Sequence, residues 1–239
     1  MTLFPLSWWQ RFRQRLRWHS GHASETGFWD RYLKTRGLRW PQEFSDRMDR
    51  DFEVAKELSD LIGDTSPAPM RILDVGAGPL TVVGKCFRGT RISLTAVDPL
   101  APHYDQLLEK HSLIPPVRTI FGKAEDVATQ FPQASFDLVH ARNCLDHGLD
   151  PFHAVSQMLR VVKSGGCVYL KHHPNEGLNE QWHGLHQWNF SMSGVGDFII
   201  SSRDHEVNVT KEFTSKADVS CELRQEIGED WLIVVIRKH

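Results

Sequence analysis

Short apolar runs recur along the middle of the chain at 71–75, 92–97, 117–121, 136–141 and 166–171, and each is short enough to form a buried strand. Between them, mixed stretches at about 79–88, 102–111, 125–131 and 151–163 read as helices. The last opens with Asp150 as N-cap and Pro151 at the first helical position. A further helical pattern occupies 52–58, before the Pro67/Pro69 breaker. Strand and helix alternating in this way predict right-handed crossovers and a parallel sheet with helices on both faces, that is, a Rossmann-like doubly wound α/β fold. Beyond 197 the pattern changes to strand runs at 198–200, 219–227 and 231–236. The last two are joined by Gly228-Glu229-Asp230, which predicts an antiparallel hairpin at the C-terminal edge of a mostly parallel sheet.

Length and composition fit this picture without changing it. The 239 residues are 40% hydrophobic and 24% charged, which excludes disorder and fibrous repeats. A core of this size buries roughly 70–75% of the surface of the unfolded chain, so neither disulfides nor a structural metal is needed. Cys86, Cys144, Cys167 and Cys221 form no CxxC pair and read as small buried residues of a reducing compartment. No apolar run approaches the roughly 20 residues of a spanning helix. The apolar N-terminal residues precede the arginines, the reverse of a secretory signal, so a cytoplasmic location is expected.

The net charge of −2 conceals a local asymmetry, because Arg11, Arg13, Arg15 and Arg17 lie in a stretch of 24 residues without an acid. Residues 1–50 therefore form a basic, Trp-rich lead and helical cap, distinct from a domain over 51–239. On a helical projection Trp8, Trp9, Phe12 and Leu16 share a face that excludes Arg11, Arg13 and Arg17. That pattern suits an anionic membrane surface touched through residues 1–20, which would place the protein peripherally on the inner face of the membrane. It equally suits a helix packed over the domain. The small basic patch and acidic balance argue against nucleic acid.

Candidate chemistry starts where 72–75 runs into Gly76-Ala77-Gly78-Pro79, a glycine turn at the carboxyl end of a buried strand, where open α/β sheets bind ligands. The dinucleotide fingerprint requires a third glycine where Thr81 stands, and the Gly-Lys-Ser/Thr of a phosphate loop is absent. Asp74, inside the strand, must be hydrogen-bonded if buried; it braces the loop or meets a ligand's amine through water. Asp98, followed by Pro99, lies 20 residues beyond Gly78 at the end of the next run, where a carboxylate accepts both hydrogen bonds of a ribose diol. Ala124-Glu125-Asp126 then forms an acid-bearing turn after the third run.

In this order and spacing, the glycine strand, Asp98, the 124–126 turn, the strand 136–143 and the run 159–170 resemble the class I S-adenosylmethionine-dependent methyltransferase family. The resemblance covers about 70–172. It implies a seven-stranded sheet with one reversed edge strand and S-adenosyl-L-methionine lying across the ends of the first strands. It also implies that Gly76, Ala77 and Gly78 hold the methionine part, Asp98 and Pro99 the ribose side, Ala124, Glu125 and Asp126 the adenine, and Arg142 the cofactor's inner face. The stretches 28–41 and 172–190 are more loosely similar to methyltransferases of bacterial surface-polysaccharide assembly.

If the acceptor is a hydroxyl, its proton must leave, and His147, His172 and His173 fall at strand ends where an acceptor would sit. His172 and His173 are adjacent, so at most one faces a given pocket. Asp146 and His147 are too few to define a cation site, and His183 and His186 have no identifiable partners, so no metal is expected. The loop at about 172–197 carries four histidines, two tryptophans and five Asn/Gln side chains within 172–190, which suits a polar, ring-shaped acceptor such as a saccharide and equally a long surface loop whose tryptophans pack back onto the sheet. The expected activity is O-methylation of a small or glycan-like molecule. N- or C-methylation of another metabolite stays open, as does a non-catalytic, membrane-recruited binding protein of the same fold. Oligomeric state is not legible.

Overall fold

The computed structural model describes residues 8–62 and 69–239, with side chains described from residue 21 onward. The helices are α1 (Trp8–Thr35), α2 (Pro41–Met48), α3 (Lys56–Ile62), α4 (Ala101–Lys110), α5 (Val127–Gln130), α6 (Pro151–Val161), α7 (Glu176–Asn179) and α8 (Val209–Phe213). The first strands are β1 (Arg71–Val75), β2 (Cys86–Phe87), β3 (Thr90–Arg91), β4 (Ser93–Asp98), β5 (Ile120–Phe121), β6 (Phe136–Arg142) and β7 (Val162–His172). They are followed by β8 (Asn189–Met192), β9 (Phe198–Ser201), β10 (Glu206–Asn208), β11 (Ala217–Glu226) and β12 (Glu229–Lys238).

Seven strands form one sheet in the order β11-β12-β7-β6-β1-β4-β5. β4, β1, β6 and β7 pair in parallel, with Asp74 of β1 beside Ala96 of β4 and His140 of β6. β12 runs against both β7 and β11, so the reversed strand lies one position inside the edge rather than at it. The central strands read as near-continuous apolar runs because both faces are covered. One core layer contains Leu73, Val139, Val168 and Leu232 with the α6 residues Val155 and Met158; the other contains Ile72, Leu138 and Tyr169 with Leu58 of α3. Asp150 caps α6 by accepting the His153 N–H, as its position before Pro151 predicts.

Three local expectations are overturned. Residues 79–88 form no helix. Gly84 packs so tightly on Glu53 that a Cβ there would lie 2.2 Å from the Glu53 carbonyl carbon, and Lys85 and Cys86 donate to the Phe52 carbonyl while Val54 donates to Cys86. Residues 52–54 are extended for the same reason, so the helix expected over 52–58 starts at Lys56. The last hairpin turns at Ile227 and Gly228 rather than 228–230. Both have positive φ, and Glu226 faces Glu229, the geometry of a two-residue primed turn.

The lead is continuous with the fold. Tyr32 and Leu33 of α1 and Phe44 of α2 share a core with Leu80, Leu108 and Leu113. The interfacial pattern of Trp8, Trp9, Phe12 and Leu16 falls on residues whose side chains lie outside those described. After β7 the chain builds a small antiparallel sheet, β10-β9-β8, which occupies part of the expected acceptor loop.

Candidate functional site

A cleft opens at the carboxyl ends of β1, β4 and β6, with about 1110 Å³ of empty space that includes its opening to solvent. Its floor is the glycine turn. Gly76 and Gly78 have φ of +69° and +64°, and a Cβ on either would collide, with the Cys144 Sγ at 2.4 Å and with the Trp29 ring at 2.6 Å. Glycine is required here by backbone conformation and by close approach together. The Gly76 and Ala77 amides donate to the Val97 carbonyl, which pins the turn to β4.

Asp74 is 2% exposed, and both its oxygens are engaged: Thr81 donates to Oδ2 at 2.5 Å, and His140 Nδ1 lies 2.7 Å from Oδ1. It therefore braces the loop. Thr81, which stands in place of the fingerprint's third glycine, is the brace's hydroxyl donor.

Asp98 lines the cleft and accepts from the Gly78 amide at 3.1 Å and the Leu100 amide at 2.8 Å. The Tyr104 hydroxyl is a third partner of this carboxylate, whose four lone-pair positions still leave acceptor capacity. Burial pushes the Asp98 pKa up to about 6 against the two amide donors. Pro99, Ala124, Glu125 and Arg142 also line the cleft, whereas Asp126 is exposed and outside it. Glu125 accepts from the Leu149 and Asp150 amides, which ties the turn after β5 to the segment that enters α6. Arg142 is held by Glu43 of α2 at 3.1 Å and lies over the Trp231 ring.

Of the three candidate histidines, only His147 lines the cleft. His172 is buried against Phe190 at a ring separation of 4.6 Å, and burial holds its pKa down to about 4. His173 stacks on Trp231 at 3.8 Å and meets the Asp230 carbonyl. Both are therefore packing residues of β7 and the segment after it, a correction to their placement at the acceptor. Trp188 is likewise in the core, with its indole N–H on the Gly148 carbonyl, so it offers no stacking face to a saccharide.

Several lining residues escape a reading centred on 70–172. His22, Glu25 and Trp29 come from α1, Arg47 from α2 and Leu185 from the long loop. Trp29 is oriented by its N–H to Glu25 at 2.8 Å, and Arg47 lies over its ring. The aromatic and charged density of 28–41 was the available signal, but it does not say which cleft the helix covers.

The chain matches the family model described as a methyltransferase domain over residues 47–203. The chain belongs to that methyltransferase family. This class I methyltransferase domain uses S-adenosyl-L-methionine, and the cleft fits that group. Asp98 offers a buried carboxylate with acceptor capacity, the glycine turn lines the cleft without bulky side chains, and Glu25 and Arg47 supply the two signs of charge that an amino-acid moiety pairs with. Curated relatives include the ubiquinone biosynthesis O-methyltransferase of Xanthomonas campestris, 31% identical over 102 residues, 42% of this chain and 41% of that protein. Another is the 27-O-demethylrifamycin SV methyltransferase of Amycolatopsis mediterranei, 26% identical over 121 residues, 49% of this chain and 44% of that protein. The chain thus spans less than half the length of the curated relatives it matches. Among solved structures, a Haemonchus contortus phosphoethanolamine N-methyltransferase 2 with S-adenosylhomocysteine is 15% identical with a TM-score of 0.51, covering 76% of this chain and 51% of that one. A Haloferax volcanii putative methyltransferase in complex with the Trm112 activator is 15% identical with a TM-score of 0.50, covering 90% and 97%. At such identity both speak to the fold.

Proposed function

We propose that this methyltransferase methylates an oxygen of a small hydroxylated acceptor, a saccharide being one member of that class. The observation that carries the reading is the position of His147, on the same cleft as Asp98 and the glycine turn and backed by Asp146 and His186. The names of two curated relatives support it, one an O-methyltransferase and the other a methyltransferase of a 27-O-demethyl compound.

When bound, the cofactor supplies a methyl group already activated by its sulfonium. The chain's own task is to bind, align and exclude water. Asp98 holds the ribose hydroxyls, and Gly76 to Gly78 hold the amino-acid part on bare backbone. Ala124 and Glu125 flank the base, with exposed Asp126 acting only through the turn. Arg142, fixed by Glu43, closes the inner face. Trp29 and Leu185 cover the cleft from outside the sheet and keep water out. At the acceptor end, the cluster around His147 draws the proton from the hydroxyl, the step that oxygen needs.

Incubation with methyl-labelled S-adenosylmethionine and a panel of phenols, sugars and amines tests the reading. Label in an ether product supports it; label confined to amines or carbon sites transfers the reading to N- or C-methylation. Cofactor binding without turnover on any acceptor supports a silent binding protein. The charge pattern of residues 1–20 supports contact of the basic lead with an anionic membrane surface, and equally its packing over the domain.

A further inference from the structure

The long loop brings His186 to the turn after β6, 40 residues earlier in the chain. His186 Nδ1 lies 2.7 Å from Asp146 Oδ2, His147 Nε2 lies 3.3 Å from the same oxygen, and Glu176 Oε2 lies 3.5 Å from His186 Nδ1. The ligand atoms of Asp146, His147 and His186 all fall within 4.8 Å of one another. The absence of a metal expected from sequence rested on the lack of a third ligand beside Asp146 and His147, and the fold supplies one.

Two observations set this cluster apart from an ordinary ion pair. Asp146 is fully buried, yet among the described residues its Oδ1 has no hydrogen-bond partner, and the buried His147 Nε2 has none either. Leaving such buried groups without a partner is costly, and a bound ion would satisfy both. The spacing also matches a coordination polyhedron. Ligands about 2.0–2.1 Å from one ion are about 3.3 Å apart in a tetrahedron and about 3.0 Å apart in an octahedron. The separations of 2.7, 3.3 and 3.5 Å straddle those values, the shortest being a hydrogen bond that the ion would replace.

We propose that Asp146, His147 and His186, joined by Glu176, bind one divalent transition-metal ion in the wall of the methyltransferase cleft. Two imidazoles with carboxylates suit zinc, iron(II), manganese or cobalt, whereas magnesium and calcium favour all-oxygen sets. The ligands are held by backbone: the Gln187 amide donates to the Asp146 carbonyl, and the Trp188 indole donates to Gly148. His147 lines the cleft, so a remaining coordination position there takes an oxygen of the acceptor; that clause rests on the O-methylation reading, while ion binding does not. His147 is then a ligand rather than a free base: the ion lowers the hydroxyl's pKa, and the proton leaves to solvent through the open cleft before the methyl group is transferred.

Cobalt(II) titration of the chelator-treated full chain tests the site, read by visible d–d absorption and by competition with zinc(II). S-Adenosylhomocysteine affinity is measured on every sample as the check on folding. The expected result is one equivalent bound, at least tenfold weaker in His186→Ala and His147→Ala, and unchanged in His183→Ala, whose ring is exposed and bonds only its local Glu180 carbonyl. Glu176→Gln provides a further ligand variant should His186→Ala lose cofactor affinity. No stoichiometric absorption from the intact chain, or equal affinity in the ligand variants, overturns the site. Retained S-adenosylhomocysteine binding in that case leaves the methyltransferase reading standing.

Discussion

Asp98→Asn and a pH titration of the unaltered chain probe the same carboxylate. Burial pushes its pKa from 3.8 up to about 6, while the Leu100 and Gly78 amides favour the charged form. A ribose diol also favours the charged form, so S-adenosylhomocysteine binding competes with protonation. If only the ionised carboxylate binds, Kd doubles at about pH 6 and rises about tenfold at about pH 5, equivalent to about 1.4 kcal/mol. Folding has the opposite dependence. Because the folded pKa is the higher one, the folded state takes up protons more readily, and the contribution of Asp98 to stability is greatest below about pH 3.8. It falls as pH rises to about 6, above which the buried charge costs on the order of 3 kcal/mol. Acid therefore weakens cofactor binding without destabilising the fold through Asp98. Asparagine removes the charge, and with hydrogen bonds to charged groups contributing about 1.5–3 kcal/mol, affinity should fall about 10- to 100-fold. Calorimetry from about pH 5 to 8 should show a sloping acid limb in the unaltered chain and a flat one in Asp98→Asn. The same limb in both proteins refutes the assignment of Asp98.

Gly76→Ala should destabilise the fold by about 2–5 kcal/mol, combining the left-handed backbone penalty with overpacking against Cys144; an unchanged denaturation midpoint contradicts that packing. His147→Ala should lower turnover by about 10²- to 10⁴-fold with near-normal S-adenosylhomocysteine affinity, while His173→Ala leaves turnover within about twofold. Equal effects of the two substitutions in steady-state kinetics would remove the cleft's claim on His147. Recovery of the intact chain with anionic vesicles should exceed that of a chain lacking residues 1–20, and equal recovery removes the lead from the membrane.

Much of the sheet is legible in the sequence because buried parallel strands are written as apolar runs, and those at 71–75, 92–97 and 136–141 coincide with β1, β4 and β6. The helix expected at 79–88 fails because nothing local announces that Phe52 and Glu53 pair with 84–86. A long-range contact decides that segment, and Gly84 marks it only in retrospect. The placement of the glycine turn and Asp98 at the cleft is legible because it follows from the ends of the strands that carry them. His172 and His173 were misplaced because position after a strand does not reveal which ring Phe190 or Trp231 will cover. His186 was unreadable as a partner of Asp146, because that pairing depends on where the loop after β7 folds back.

Backbone amide hydrogen exchange with and without S-adenosylhomocysteine tests the location of the cofactor directly. The account predicts slowed exchange on binding in the segments 75–78, 98–100 and 123–126, with 198–208 of the small antiparallel sheet unchanged. Binding that leaves those three segments exchanging at their free rates, or protects the small sheet instead, contradicts it.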